Sequence, residues 1–300
     1  MRIAVTGGTG FIGRYVLHNL LARGYEVLVV GRSSPPKHEG LLFVSVDLLK
    51  EREHLWISEY KVTHLLHLAW YAEHGKFWTS PLNIDWCHAT VQLVNAFVNQ
   101  GGERVVVAGS CAEYDWSFGY CQEDKTPSNP STLYGVAKDC ARRMTEQICS
   151  LQQVSWAWGR VFLPFGIGEN TQRLIPSIAH VFLGLRPPFP ISINQWRDLL
   201  PVEVVADGLV FLINQKDTGI FNICSGKPTQ LHELITKIAD ELNQNPRKLL
   251  EKADFKSSSF LIGDNKSILE KGWYSNYDLE QSLNLYINSL RKNSYDSTRI

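Results

Sequence analysis

Short apolar runs alternate with stretches of helical spacing along the first half of the chain. Ile3 to Val5 is the first run, and Tyr15 to Arg23 follows with Val16/Leu20 and Leu17/Leu21 stacked at i,i+4. Gly24 ends that predicted helix, and Glu26 to Val30 (EVLVV) reads as a second strand. Phe43 to Val46 and Thr63 to Leu68 predict a third and a fourth. Asn83 to Asn99 predicts a helix that Gly101-Gly102 breaks, and Arg104 to Ala108 (RVVVA) predicts a fifth strand. A further helix, capped by Ser131 or Thr132, is expected to run to about Cys149. Strand alternates with helix throughout, which implies an α/β fold built on a parallel, doubly wound sheet. Later in the chain, Leu231 to Leu242 carries Leu234, Ile235, Ile238, Ala239 and Leu242 on one side. Asp278 to Arg291 repeats that pattern, and the polar tail Asn293 to Ile300 is expected to fray.

The first junction carries chemistry. Between the first strand and helix, MRIAVTGGTGFIG sets Gly7, Gly10 and Gly13 three residues apart. Such a turn needs glycine for positive φ, for close approach of a phosphate to the backbone, and for tight packing of helix on strand. The free N–H groups at the helix start then face an anion. In parallel sheets ligands lie at the carboxyl ends of the strands, where Ser33, Asp47, Ala69 and Ser110 fall. An acidic residue at the tip of the second strand would hold the ribose hydroxyls of NAD. Gly31, Arg32, Ser33 and Ser34 stand there instead, and a guanidinium with hydroxyls suits a 2′-phosphate. NADP(H) is therefore expected in preference to NAD(H), with Arg32 as a solvated charge stacking on adenine the alternative.

A second constellation follows the fifth strand. Ser110 lies just past its end, and STLYGVAKDCARRM places Tyr134 and Lys138 at i,i+4 on one helical face. A phenol beside an ammonium ionises more readily, which makes Tyr134 a usable acid/base for a carbonyl or alcohol. The Ser110 hydroxyl is expected to hold the same oxygen.

Composition narrows the field. The 300 residues carry Lys+Arg and Asp+Glu at 30 each, so no polyanion partner and no nucleic acid is expected. No segment approaches the apolar length of a membrane span, and a cytoplasmic protein is the expectation. The six cysteines (87, 111, 121, 140, 149, 224) form no CxxC pair and are expected as free thiols. His74 has no second ligand at metal spacing, and no metal is expected.

At these residues the chain resembles the extended short-chain dehydrogenases/reductases, the group that includes UDP-galactose 4-epimerase and the nucleotide-sugar dehydratases and reductases. The resemblance runs nearly end to end. It implies a Rossmann-type sheet with a smaller C-terminal substrate-binding lobe. The dinucleotide-binding part would span 1–165 plus about 200–225, and the lobe about 166–199 plus 226–300. TGGTGFIG matches the family's cofactor loop, which implies contacts from Gly7, Thr9, Gly10, Phe11, Ile12 and Gly13. Arg32 and Ser33 fall at the second-strand tip, Asp47-Leu48 at the adenine position, and Leu68, Ala69 and Trp70 of HLAW under pyrophosphate and ribose. Asn83 and Ala108 are expected cofactor contacts too, and so are Phe162 and Leu163 of RVFLPFGIGE, Tyr134 and Lys138. Ser110 matches the catalytic Ser/Thr, four residues before Tyr114, and YGVAK matches the Tyr-Lys pair. QWRDLLPVEVVADGL resembles the segment whose arginine meets the sugar nucleotide's diphosphate, and FNICSG and LEKGWYSNYDLEQSL match the seventh strand and last helix region. Helices at about 84–100 and 131–150 pair between subunits in this family, which implies a homodimer.

Departures from the family pattern also inform. Members that dehydrate often place Asp-Glu after the catalytic Ser/Thr, where this chain has Cys111 and Ala112. Epimerases usually have Asn where Leu163 stands, and an acidic second-strand tip where Gly31-Arg32 stands. A reductase of a 4-keto-6-deoxyhexose on a nucleoside diphosphate, dTDP or CDP, is what remains. A 4-epimerase with retained NAD, an NADP-sensing regulator and a reductase of free hydrophobic ketones are the alternatives. Candidate substrate contacts are Tyr71, His74, Ser110, Cys111, Glu113, Arg173, Leu174 and Arg197. Arg173 and Arg197 suit phosphate oxygens, Trp70, Tyr71 and His74 would roof the sugar, and Glu113 and Asp115 either touch its hydroxyls or stay solvated.

Overall fold

The computed structural model describes residues 1–254, 258–275 and 277–297. In chain order its first half contains β1 (Arg2–Thr6), α1 (Phe11–Ala22), β2 (Glu26–Gly31), β3 (Leu41–Ser45), α2 (Trp56–Glu59), β4 (His64–His67), α3 (Leu82–Asn99) and β5 (Arg104–Ser110). Two short 3-10 turns (Cys111–Glu113 and Trp116–Phe118), β6 (Tyr120–Cys121), α4 (Leu133–Leu151), β7 (Ser155–Val161), β8 (Leu163–Phe165) and α5 (Leu174–Phe182) follow. The remainder is β9 (Ile191–Ser192), β10 (Gln195–Pro201), α6 (Val202–Asn214), β11 (Gly219–Ile223), β12 (Pro228–Gln230), α7 (Leu231–Glu241), α8 (Arg247–Leu250), β13 (Ala253–Asp254), β14 (Ser259–Gly263), α9 (Lys266–Glu270) and α10 (Leu279–Ser297).

Seven strands form the main sheet in the order β11–β7–β5–β4–β1–β2–β3, every neighbouring pair parallel. Parallel strands buried on both faces read as continuous apolar runs, as EVLVV and RVVVA do. Val27, Val29 and Val106 join the core beneath α1 and α6, whereas Leu28, Val30, Val105 and Val107 join the one beneath α3 and α4. The strand order reverses between β1 and β4, and this switch point opens a crevice at the carboxyl ends of the strands.

A third core packs Leu234, Ile235, Ile238 and Ala239 of α7 against Leu283 and Ile287 of α10. A smaller sheet has the order β12–β10–β14–β6, with β8 beside β10. Asp198 of β10, fully buried, ties this sheet to the loop after β11, accepting from the backbone N–H groups of Ser225 (2.7 Å), Gly226 (3.0 Å) and Gly263 (3.2 Å). Three backbone donors satisfy a buried carboxylate without a cation. The tail expected to fray from Asn293 continues α10 to Ser297, and 298–300 lie outside the described residues. All six cysteines are free thiols.

Candidate active site

The glycine loop is shaped as its spacing implies. Gly7 has φ +69°, and a Cβ there would lie 2.7 Å from the backbone nitrogen of Ala69. A Cβ on Gly13 would run into the carbonyl oxygen of Gly7, so glycine alone lets α1 close on β1. Gly10 begins the twelve-residue α1 without a side-chain cap, which leaves the helix start for an anion. Thr9 and Gly10 are exposed at this end, with Phe11 and Ile12 half-buried. Behind the loop, the Thr6 hydroxyl accepts from Leu68 N (3.2 Å) and Ala69 N (3.3 Å) and pairs with His67 Nδ1 at 2.6 Å. His67 Nε2 meets Thr90 at 2.9 Å. Burial, then nearby Lys138, pushes His67 down to about 3, so it is a neutral brace between β1, β4 and α3. Arg32 and Ser33 are exposed at the end of β2, free to meet a ligand there. Asp47 is half-buried, accepts from Leu49 N and pairs with Lys50 at 3.6 Å, with Leu48 buried beside it, while Ala108 is buried four strands away near the end of β5.

Ser110 ends β5 and caps the first 3-10 turn. Its Oγ accepts from Ala112 N at 3.2 Å, and Glu113 Oε1 accepts from Ser110 N at 2.7 Å, a reciprocal capping box. Of the two capping residues left open by the sequence, Thr132 caps α4, accepting from Gly135 N at 3.1 Å. A Cβ on Gly135 would collide with the carbonyl of Ala112, so this glycine seats α4 against the turn. Tyr134 is thereby brought near Ser110, close enough for the hydroxyl to favour the ionised phenol. Lys138 lies one turn further, buried, with Nζ donating to Ala108 O at 2.8 Å.

The electrostatics differ from the expectation. The Lys138 ammonium was expected to lower the Tyr134 pKa; instead burial raises Tyr134, only partly offset by the nearby Ser110 hydroxyl. The cause is a wall of aromatics. Trp70, Phe77 and Trp78 meet the phenol ring edge-on at centroid distances of 6.4, 4.9 and 5.7 Å, and Tyr134 N donates to Trp78 O at 3.1 Å. Burial also draws Lys138 down to about 7, against the pull of Glu113 and Cys87. The wall continues to Trp116, which stands 5.9 Å from Trp78 and donates Nε1 to Cys111 O at 2.8 Å.

Several expected contacts are spent elsewhere. Glu113, a candidate for sugar hydroxyls, is 0% exposed and sealed by Arg160 Nε at 2.8 Å and Trp158 Nε1 at 2.9 Å. Asp115 is bound to Ser117 and Asn129 at the surface. Cys111 is buried, and burial lifts its thiol well above the ordinary range. Asn83 is buried and donates to Phe77 O (2.6 Å) and Ser80 O (2.9 Å) while accepting from Trp70 Nε1 (2.9 Å), so it props a loop where a cofactor contact was expected. Phe162 packs its ring into the core beside Tyr114, and Leu163 leans on the core that α5, α7 and α10 share. Trp70 lies against the Tyr-Lys pair. The Arg197 guanidinium is tied to Gln195, Ser259 and Trp196 O, so a diphosphate would have to take it from those partners.

Others face the crevice. Arg173 pairs with Glu169 at 3.4 Å, lies 5.9 Å from the Phe11 ring, and acts electrostatically on both Tyr134 and His74. It therefore borders both the glycine loop and the tyrosine. Leu174 begins α5 beside it, half-buried, and Tyr71 donates to Glu73 at 2.9 Å at the outer edge. Phe77, Trp78, Trp116 and Glu169 were missed. The aromatic density of AWYAEHGKFW was the available signal for Phe77 and Trp78.

A family model described as NAD dependent epimerase/dehydratase family matches residues 3–224. The chain belongs to that family. It is similar to the dTDP-6-deoxy-L-talose 4-dehydrogenase (NAD(+)) of Aggregatibacter actinomycetemcomitans, 26% identical over 250 residues that cover 81% of this chain and 91% of that protein. The UDP-glucose 4-epimerase of Bacillus subtilis (strain 168) is 24% identical over 323 residues, covering 94% of each chain. Among solved structures, MoeE5 in complex with UDP-glucose and NAD superposes with a TM-score of 0.84 at 25% identity, covering 98% of this chain and 99% of that one. The family therefore accounts for the parallel seven-stranded sheet. No helix among the described residues is long and apolar enough to cross a membrane.

Proposed function

We propose that the protein is an NAD(P)H-dependent reductase of a 4-keto-6-deoxy sugar carried on a nucleoside diphosphate, dTDP or CDP by preference. The observation that carries this reading is the gathering of Ser110 at the end of β5, Tyr134 on α4 near enough to feel its hydroxyl, and Lys138 one helical turn away with Nζ on Ala108 O of the same strand. When bound, the nicotinamide supplies the hydride. Ser110 orients the keto oxygen by hydrogen bond. Tyr134 keeps its proton at neutral pH, because burial raises its pKa, and gives it from Oη to that oxygen as negative charge grows. Lys138 holds a ribose hydroxyl and contributes positive charge beneath the reacting oxygen. Trp78 and Phe77 exclude water from it.

The glycine cradle and the uncapped start of α1 fit a pyrophosphate. Arg32 and Ser33 would take a 2′-phosphate, and Asp47 with Leu48 the adenosine. Arg173 is the preferred candidate for the substrate's diphosphate, ahead of Arg197. Dehydration is disfavoured because Cys111 and Ala112 hold the positions of an acid pair. A homodimer through α3 and α4 is favoured by the exposed Ile84 on α3 and Met144 and Leu151 on α4. A cytoplasmic location and the division into dinucleotide part and lobe belong to the same reading.

NADPH oxidation against a panel of 4-keto-6-deoxy sugar nucleotides tests the proposal, with product configuration read by NMR. Turnover with at least one dTDP- or CDP-linked member is expected, and none with any member in folded protein overturns it. A 4-epimerase is the second reading, favoured by the epimerases among the similar proteins. It would purify with bound NAD and turn over without added cofactor, so the absorbance of the purified protein separates the two.

A further inference from the structure

Trp70 touches both members of the Tyr-Lys pair and is itself held from two sides. The Lys138 Nζ lies 3.9 Å from the centroid of its indole. Tyr134 meets the same indole edge-on at 6.4 Å. Trp86 of α3 stacks on it at 6.5 Å and 30°, and Asn83 Oδ1 accepts from its Nε1 at 2.9 Å. Asn83 is fixed in turn by Phe77 O and Ser80 O. The ring can neither slide nor flip without breaking one of these.

An ammonium over an aromatic face is attracted by the ring's negative quadrupole, more strongly once water is excluded. Only the charged form of lysine gains from that face. We propose that Trp70 is a positioning residue that holds the Lys138 side chain over its indole and keeps the ammonium charged. The value of that charge to the reaction rests on the function proposed above; the contact itself does not. The groups that act on Lys138 from packed elements are Glu113 of the first 3-10 turn, Cys87 of α3 and His67 of β4. His67 is neutral near pH 7, and Glu113 is engaged by Arg160 and Trp158. The Ala108 carbonyl and the indole are the near groups that select the ammonium.

Lysine-labelled protein, titrated by the 13Cε shift of Lys138 with the signal assigned by loss in Lys138→Arg, tests this without substrate or cofactor. Failure here is therefore separate from failure of the proposed reaction. Trp70→Leu removes the face and is expected to lower the titration midpoint by about half to one and a half pH units. Trp70→Phe keeps a smaller face and is expected to lie between Trp70→Leu and the parent protein. Thermal unfolding run alongside reports any general loss of packing. Should Trp70→Leu fail to fold, Trp70→Phe carries the test, with a lower midpoint expected. A midpoint that stays or rises in the folded variants overturns the proposal, because it would mean that the indole only shields the ammonium from water.

Discussion

Glu113 and Lys138 are buried charges held at the end of β5, one on Ser110 N and the other on Ala108 O, and the protein treats them in opposite ways. Glu113 has an ion pair with Arg160, an indole donor and a backbone N–H. The Arg160 guanidinium is raised in turn, since Glu113 and Tyr114 outweigh the burial that would lower it. Lys138 has one carbonyl and an aromatic face, and burial takes it to about 7. A buried charge with matched partners braces structure; one with too few is ready to engage a ligand. The comparison separates residues that hold the site from residues that work in it.

The largest expected effect falls on the working side. Tyr134→Phe removes the proton donor and should cost about 10²–10⁴-fold in turnover, with the thermal unfolding midpoint nearly unchanged. A large loss of stability in that variant would blur the comparison. On the bracing side, Glu113→Ala takes the 2.8 Å carboxylate from the buried Arg160, leaving Asp139 at 3.9 Å, and should cost about 3–5 kcal/mol in urea unfolding. Replacing both, as Glu113→Leu with Arg160→Met, should recover much of that loss, since a buried pair exchanged for apolar side chains is often neutral.

The pH dependence of stability comes next. Lys138 titrates near 7 in the folded chain, against 10.5 for the free side chain. Between those values the unfolded chain carries a proton that the folded chain lacks, so this group makes stability rise with pH across that window. Lys138→Met should flatten the rise, as measured by urea unfolding at stepped pH. Glu123 and Glu169, both lifted by burial to about 7 from 4.5, act in the window below. There the folded chain holds the extra proton, and stability falls as pH climbs. The smallest effect belongs to an exposed charge. Arg32→Ala should weaken NADPH about tenfold, the worth of one charge-assisted hydrogen bond, and leave NADH almost unchanged. Equal losses for both dinucleotides would assign Arg32 to adenine stacking.

The two kinds of residue were not equally legible. Gly7 and Gly13 are dictated by backbone geometry within a dozen residues of chain, so spacing alone reveals them. The apolar runs of β1, β2, β4 and β5 are legible for the same local reason, though β3 begins two residues earlier than its apolar run suggested. Tyr134 and Lys138 share a helical turn and are equally plain. Glu113 was read as a site residue because it follows Ser110 closely. Its true partners, Trp158 and Arg160, come from β7, 45 and 47 residues on. The aromatic wall likewise joins segments near 70–78, 116 and 134, and no local pattern encodes such a meeting. The Tyr134 pKa was misjudged for that reason: the neighbour was visible and the burial was not.

The most direct test of the central claim is a crystal structure of the protein with NADP(H). The account predicts the pyrophosphate at the start of α1 and the nicotinamide beside Tyr134. It also predicts Lys138 Nζ moved from Ala108 O to a ribose hydroxyl at about 3 Å. A dinucleotide whose nicotinamide end lies away from Tyr134, or a Lys138 that keeps to Ala108 O and makes no contact with it, would contradict the account.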